Sequence, residues 1–264
     1  MLVLRTPMQL ITMKKPTQIF LIILLACASQ LHAEENLPLP FEASYTIFKK
    51  GVEVAKMHRS LSRLDNGEYI YRSETNSTGL VSIFYKLHVL EESHWRLQNQ
   101  KIQPLDYSYQ RIKKKKKSHK QTIFDWENHQ VNSIVNGKKS TLELKPEMTD
   151  KLLYQLDMMH NLERGHHPAS YTVVDGTKIK TYNFEYLGEE LLDTPIGKLN
   201  TVKIVRQKHD EKGNLTLWCA SELHFLPVKV EATDDEGSMT TAMITTLSGF
   251  TRTGESHLST DLSE

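Results

Sequence analysis

From Phe41 the chain alternates strictly. Phe41, Ala43, Tyr45 and Ile47 fall on one face and Glu42, Ser44 and Thr46 on the other, the period of a half-buried strand. Lys49-Lys50-Gly51 then turns the chain. Comparable patterns predict strands at 52–63, 68–75, 87–96, 105–112, 120–127 and 130–135. Asp65-Asn66-Gly67 and Asn136-Gly137 punctuate them as hairpin signals, and 79–84 reads as a short helical turn. In the second half, strands are expected at 171–174, 178–187, 199–207, 215–220, 226–233 and 239–247. Asp193-Thr-Pro-Ile-Gly forms a tight turn between two of them. Pro227 has no N–H to give to a ladder, so its strand is either an edge or begins at Leu226-Pro227.

One segment departs from period two. Leu152, Leu153, Leu156, Met159 and Leu162 recur at helical spacing, with Lys151, Gln155 and Glu163 elsewhere on the wheel. Thr149 or Asp150 can cap its start and Gly165 stands where a helix stops. The fold expected is mainly β, a curled antiparallel sheet or incomplete β-barrel, with one amphipathic helix at about 150–164 covering or plugging it. Its mixed polar face does not fit a membrane-surface helix. A single β-rich domain would span 34–250, followed by a polar tail, 251–264, expected to be disordered.

Residues 1–33 read as an export signal. Lys14-Lys15 supply the charge, Ile19 to Leu25 the short apolar run, and Leu31-His-Ala33 the small-residue cleavage site. Met13 is an alternative start. Cleavage after Ala33 releases a soluble periplasmic protein. Leu24-Leu-Ala-Cys27 instead resembles a lipobox, in which an acylated Cys27 would tether the chain to a membrane. Removal of 1–33 takes Arg5, Lys14 and Lys15 and leaves 30 basic against 32 acidic side chains. Such a chain has no global attraction to polyanions, so nucleic acid is not an expected partner. Cys219 would then be the sole cysteine, which excludes an internal disulfide.

Several stretches occur together in order: Phe41-Glu-Ala-Ser-Tyr-Thr-Ile, Phe124-Asp-Trp126, Val135-Asn-Gly-Lys, Asp150-Lys-Leu-Leu-Tyr-Gln-Leu, Asp193-Thr-Pro-Ile-Gly-Lys-Leu, and Leu217-Trp218 with Leu226-Pro-Val-Lys-Val-Glu231. The set resembles an uncharacterised family of exported bacterial proteins, domain-of-unknown-function family 3108, over roughly 39–248. The resemblance implies a periplasmic location and a β-rich fold. It implies no activity, and no catalytic residue is carried over. The stretch from the Pro195 turn to Leu226-Pro-Val is also similar in shape to the curled sheets of periplasmic lipoprotein carriers, an analogy about fold alone.

The sharpest local chemistry is a run of seven cations in ten residues: Arg111, Lys113, Lys114, Lys115, Lys116, Lys117 and Lys120. It suits a polyanion such as lipopolysaccharide, or equally a solvated hairpin tip whose lysines guard a sheet edge. His160, His166 and His167 cluster without metal-ligand spacing, so no metal or cofactor is expected. A buried Cys219 would be inert. No catalytic motif is present, and no catalytic residue is assigned. Three readings stand. The first is a non-enzymatic binding or envelope-maintenance protein, holding an apolar or amphipathic ligand on the concave sheet face. The second is an adaptor for an envelope protein or lipopolysaccharide, acting through the lysine-rich hairpin. The third is an envelope-polymer hydrolase whose carboxylates the fold brings together. Membrane contact is expected only if Cys27 is acylated.

Overall fold

The computed structural model describes residues 39–84, 86–167, 170–207, 214–234 and 236–249. The export segment with Cys27 and Ala33, and the tail from 251, lie outside the described residues. The first half runs β1 (Phe41–Lys49), β2 (Val52–Arg63), β3 (Tyr69–Ser77), α1 (Gly79–Phe84), β4 (Leu87–Gln98), β5 (Lys101–Lys113), β6 (Lys116–Asp125), β7 (Gln130–Val135) and β8 (Lys138–Glu143). After β9 (Met148–Asp150) and α2 (Tyr154–Glu163) come β10 (Ser170–Asp175), β11 (Lys178–Thr194), β12 (Gly197–Gln207), β13 (Leu215–Ala220), β14 (Leu226–Thr233) and β15 (Met239–Ser248).

Among the described residues these strands form one open sheet, in the order β8-β7-β6-β5-β4-β3-β2-β1-β15-β14-β13-β12-β11-β10-β9. Every junction is antiparallel except the parallel β9–β10 pair. β1 pairs with both β2 and β15, so the first and last strands join the two meanders. The expected curled sheet is the fold observed, and most strand limits lie within a few residues of the alternation. Pro227 sits in an inner strand that begins at Leu226, where its missing N–H costs least. Its carbonyl accepts the Tyr45 hydroxyl at 2.9 Å. At the β7–β8 turn Asn136 and Gly137 both take positive φ, 48° and 86°, the geometry that suits a two-residue hairpin.

Two strands escaped the pattern. β8 carries Lys138-Lys139-Ser140-Thr141 and a single large apolar residue, Leu142, because it is an edge with little to bury. β9 is three residues long and occupies the start expected for the helix. α2 begins only at Tyr154. The Asp150 carboxylate caps the intervening turn, its Oδ1 accepting the amides of Leu152 and Leu153 at 2.8 Å each.

The helix is not one-sided. Leu156 and Met159, with Leu152 and Leu153 just before it, pack against Tyr45, Tyr71, Trp95 and Tyr107 of the first meander. Tyr154, Met158 and Leu162 pack against Tyr171, Val173, Phe184, Ile204 and Leu217 of the second. α2 therefore lies between the two halves of the curl and fills its concave face. The apolar side chains of α2 thus spread over both sides of the helix, with Gln155, Asp157, Asn161 and Glu163 half-buried between them.

The sheet closes by overlap instead of by hydrogen bonds. Val173 faces the helix, so its neighbour Val174 must face the other way. There it meets Met148, Phe124 and Val131, and all four are buried. Phe124 lies two residues beyond Thr122, which pairs with Tyr107, so it shares the concave face of β5 and β6. The β9–β10 edge is thus tucked inside β6 and β7. Small side chains make room for it: Ser93 on β4, Thr122 on β6 and Ser133 on β7 are buried in this wall. Ser93 Oγ donates to Asp150 Oδ2 at 2.5 Å and so ties β4 to the inner edge. The β10–β11 turn comes so close to β7 that a Cβ on Gly176 would sit 2.9 Å from Val135 Cγ2, and its φ is +64°.

Two predictions follow from this interior. Burial pushes both Asp150 and Asp157 from the ordinary 3.8 up to about 6, and hydrogen bonds to Asp150 only partly oppose it. Below pH 4 such an acid is neutral in folded and unfolded chains alike. Between pH 4 and 6 only the unfolded chain ionises, so each acid lowers stability as pH rises, by roughly 3 kcal/mol at full ionisation. In a pH series of thermal melts, D150N/D157N should match the wild type near pH 4 and exceed it by about 10 °C or more at pH 7. A difference that does not change with pH would show that these carboxyls are not held neutral. G176V places a branched side chain in the overlap at a left-handed backbone position. It should lower the melting temperature by at least about 5 °C, a cost of about 2 kcal/mol for a domain of this size; an unchanged melt would mean that the turn does not press on β7.

Candidate functional site

The overlap also gathers charge. On β5 and β6 the cross-strand pairs are Tyr107 with Thr122, Tyr109 with Lys120, and Arg111 with Ser118. Directly opposed residues share a face, so Tyr109, Arg111 and Lys120 lie with Tyr107 on the concave side. Lys113 and Lys116 pair in the same series, Lys114 and Lys115 make the turn, and Lys117 lies on the convex side. The seven-cation run is therefore split. Lys114–Lys117 form an exposed tip, while Arg111 and Lys120 reach the rim of the curl.

At that rim Lys120 meets residues from the other edge of the sheet. Its Nζ donates to Asp175 Oδ1 at 2.7 Å. Lys180 Nζ lies 3.2 Å from the other oxygen of the same carboxylate, and Lys151 Nζ lies 4.0 Å from Oδ1. Lys120 and Lys151 also stand over the Tyr109 ring, 5.5 and 5.8 Å from its centre. Burial raises the Asp175 carboxyl, but its bond to Lys120 and the charge of Lys151 outweigh that and hold it below the usual range. Burial raises the Tyr109 phenol, against the charge of Arg111 beside it. Glu91 pairs with Tyr109 across β4–β5 and accepts the Tyr107 hydroxyl at 2.6 Å. Lys120, Lys151 and Lys180 thus gather on Asp175, with Arg111 beside the Tyr109 ring and Glu91 across β4–β5. An anion seated among them would be drawn by their summed positive charge. Lysine suits this role as a point charge that adapts to any anionic oxygen.

The alternation of Tyr109 and Arg111 was legible in the sequence. Lys151, Asp175 and Lys180 were not, because they join the cluster only through the overlap of strands distant in sequence.

The remaining candidate residues scatter. His160 is buried in α2, the His167 ring stands edge-on to Tyr186 at 4.2 Å, and His166 is exposed. Among the described residues no group of His, Cys, Asp or Glu is arranged to hold a metal ion. Cys219 is buried in β13, and burial pushes its thiol far up. Trp218 is buried beneath Lys203 and Lys229, whose ammonium groups lie 5.0 and 4.2 Å from its ring, and its Nε1 donates to Glu190. Trp126 is half-buried and donates to the Pro104 carbonyl at 2.7 Å. Two surface depressions of about 280 and 420 Å³ are lined largely by polar side chains, the first by Glu189, Glu190, Asn200 and Ser221, the second by Lys56, His58, Glu74 and Asn76. No helix among the described residues is long and apolar enough to cross a membrane.

The molecule is thus of the curled, β-barrel-like class, with a helix in its concavity and a lysine-rich rim. Residues 40–245 match the model of the family described as "Protein of unknown function (DUF3108)", and the chain belongs to that family. Among solved structures it is similar to a β-barrel-like protein of domain of unknown function DUF1849 from Brucella abortus. The identity is 10%, the match covers 81% of this chain and 99% of that one, and the TM-score of 0.54 indicates a shared fold. The Pseudomonas aeruginosa MucA/MucB complex aligns at 10% identity over 81% of this chain and 53% of that one, with a TM-score of 0.34. No curated protein matches the chain.

Removing the shared counter-charge tests the cluster. D175N leaves three ammonium groups without their common partner and should lower the melting temperature at pH 7. Because the Asp175 carboxyl titrates below its unfolded value, its stabilisation is present above pH 4 and is lost as pH falls through the folded pKa. The gap between D175N and wild type should therefore narrow as pH falls below 4. A gap that stays constant as the pH falls would assign the loss to packing.

Proposed function

We propose that this protein is a non-enzymatic binding protein of the bacterial envelope, and that it takes the anionic group of an amphipathic envelope ligand at the concave rim. The observation that carries the reading is the convergence of Lys120, Lys151 and Lys180 on the single carboxylate of Asp175, with Arg111 alongside. The ligand's apolar part has no empty concavity to enter, because α2 occupies it. The rim and the surface beside it are the place for a ligand. This joins the carrier-like and lipopolysaccharide-binding readings: the ligand of the first moves from the concave face, and that of the second from the hairpin tip, to the rim.

A hydrolase finds less support. Asp150, a carboxylate drawn into the interior, is fully buried with both oxygens committed to Ser93 and two amides. The envelope location rests on the export signal of residues 1–33, and Cys27 decides between free diffusion and a membrane tether.

The test uses monomeric dihexanoyl-phosphatidylglycerol as the anionic probe and dihexanoyl-phosphatidylcholine as the neutral control, by calorimetry. The anionic lipid should bind at low salt and the neutral one should not. K120Q/K151Q/K180Q should weaken binding at least about tenfold, or 1.4 kcal/mol. Equal binding of both lipids, or an unaltered triple variant, would overturn the reading. The intact mass of protein purified from its own envelope separates a chain starting at Glu34 from one acylated at Cys27.

A further inference from the structure

In a meander every second turn returns to the same end of the sheet. At one end lie the β1–β2 turn, the α1 connection between β3 and β4, the β5–β6 tip and the β7–β8 turn. Neighbouring turns are tied by hydrogen bonds. Thr78, just before α1, donates its amide to Val54 at 3.1 Å and its hydroxyl to Glu53 at 3.1 Å. The Lys114 amide at the β5–β6 tip donates to the carbonyl of Lys86, just after α1, at 2.8 Å. Asn136 of the β7–β8 turn bonds back to His119 of β6 in both directions at 2.9 Å. These turns form one continuous surface.

Its chemistry is double. Ile83 and Phe84 are 70% and 77% exposed, and Val52 on the adjoining turn is 60% exposed. Immediately beside them stand exposed Lys86 and Lys114–Lys117, followed by Lys138 and Lys139 on the next turn. Among the described residues the exposed acidic groups nearest α1 are to one side: Glu53 is bonded to Thr78, and Asp234 of the β14–β15 turn pairs with Lys49 at 3.2 Å, with exposed Glu236 two residues on. The middle of the surface, α1 and the β5–β6 tip, is apolar and cationic. A soluble partner of ordinary acidity would satisfy the lysines and leave Ile83 and Phe84 without a partner. A bilayer with anionic headgroups satisfies both at once, because apolar side chains enter the interface while lysines stay at phosphate level.

We propose that this end of the sheet docks on the surface of an anionic lipid bilayer, with Ile83 and Phe84 inserted and Lys86 and Lys114–Lys117 against the headgroup phosphates. The contact is peripheral and needs no acylation of Cys27. It uses side chains other than Lys120, Lys151 and Lys180, so it stands or falls separately from ligand capture at the rim.

The experiment is vesicle co-sedimentation of the mature protein from cells expressing the full-length C27S chain, which cannot be acylated. Vesicles of phosphatidylcholine with about one-third phosphatidylglycerol are compared with phosphatidylcholine alone. The wild-type surface should sediment with the anionic vesicles and not with the neutral ones. I83S/F84S and K114E/K115E/K116E should each lose at least about tenfold in affinity while keeping the wild-type melting temperature, as expected for exposed positions. K120Q/K151Q/K180Q should bind the vesicles within about twofold of wild type. Indifference to anionic vesicles, equal binding to both kinds, or full binding by I83S/F84S would overturn the proposal. Loss in the rim variant together with unaltered binding in both tip variants would move the lipid contact to the rim and refute this surface.

Discussion

A long sheet that curls but does not close must hide two things, an apolar concave face and two free edges. Here one device serves both. The chain leaves β8, an edge carrying two lysines, and re-enters through β9 on the inside of the same wall. Asp150 fixes that re-entry by accepting Ser93 from the wall and the amides that start the turn into α2. The helix is thereby aimed into the concavity, where aromatic residues of one meander and aliphatic and aromatic residues of the other pack against its opposite sides. The inner edge is shielded by protein, and the outer edge is left polar to water.

The cost of that arrangement is a carboxylate held in the interior, and its return is a precise seam. Because β10 is sandwiched, its two faces are committed to different neighbours: Val173 to the helix and Val174 to β6 and β7. The turn that follows delivers Asp175 and Lys180 to Lys120, while the turn from β9 to α2 delivers Lys151. The cationic rim is therefore a by-product of the overlap rather than of any contiguous motif.

Much of the β architecture could be read from alternation, since burying one face of a strand forces period two whatever the partner. β2, β13 and β14 begin and end where the pattern says. The pattern failed where burial is either absent or complete. β8 buries little on either face, so it has no apolar series. α2 buries nearly all of itself, so its apolar stripe was only half of what the sheet uses: Tyr154 and Met158 lay outside the expected stripe yet carry the contact with the second meander. β9 was hidden inside a helix signal because Asp150 serves as a strand end and as a turn cap together.

The sequence by itself determined the strand periodicity, the hairpin turns and the lysine run, which depend on neighbours within a few residues, and the family, which shows in the order of stretches along the chain. The tertiary structure decided which lysines matter together. The β5–β6 register puts Arg111 and Lys120 on one face, but pairing strands does not say which edge laps inside the other. That choice is set by volume, through the small side chains at 93, 122 and 133 and the missing side chain at Gly176, and it alone brings Lys151, Asp175 and Lys180 to the same rim.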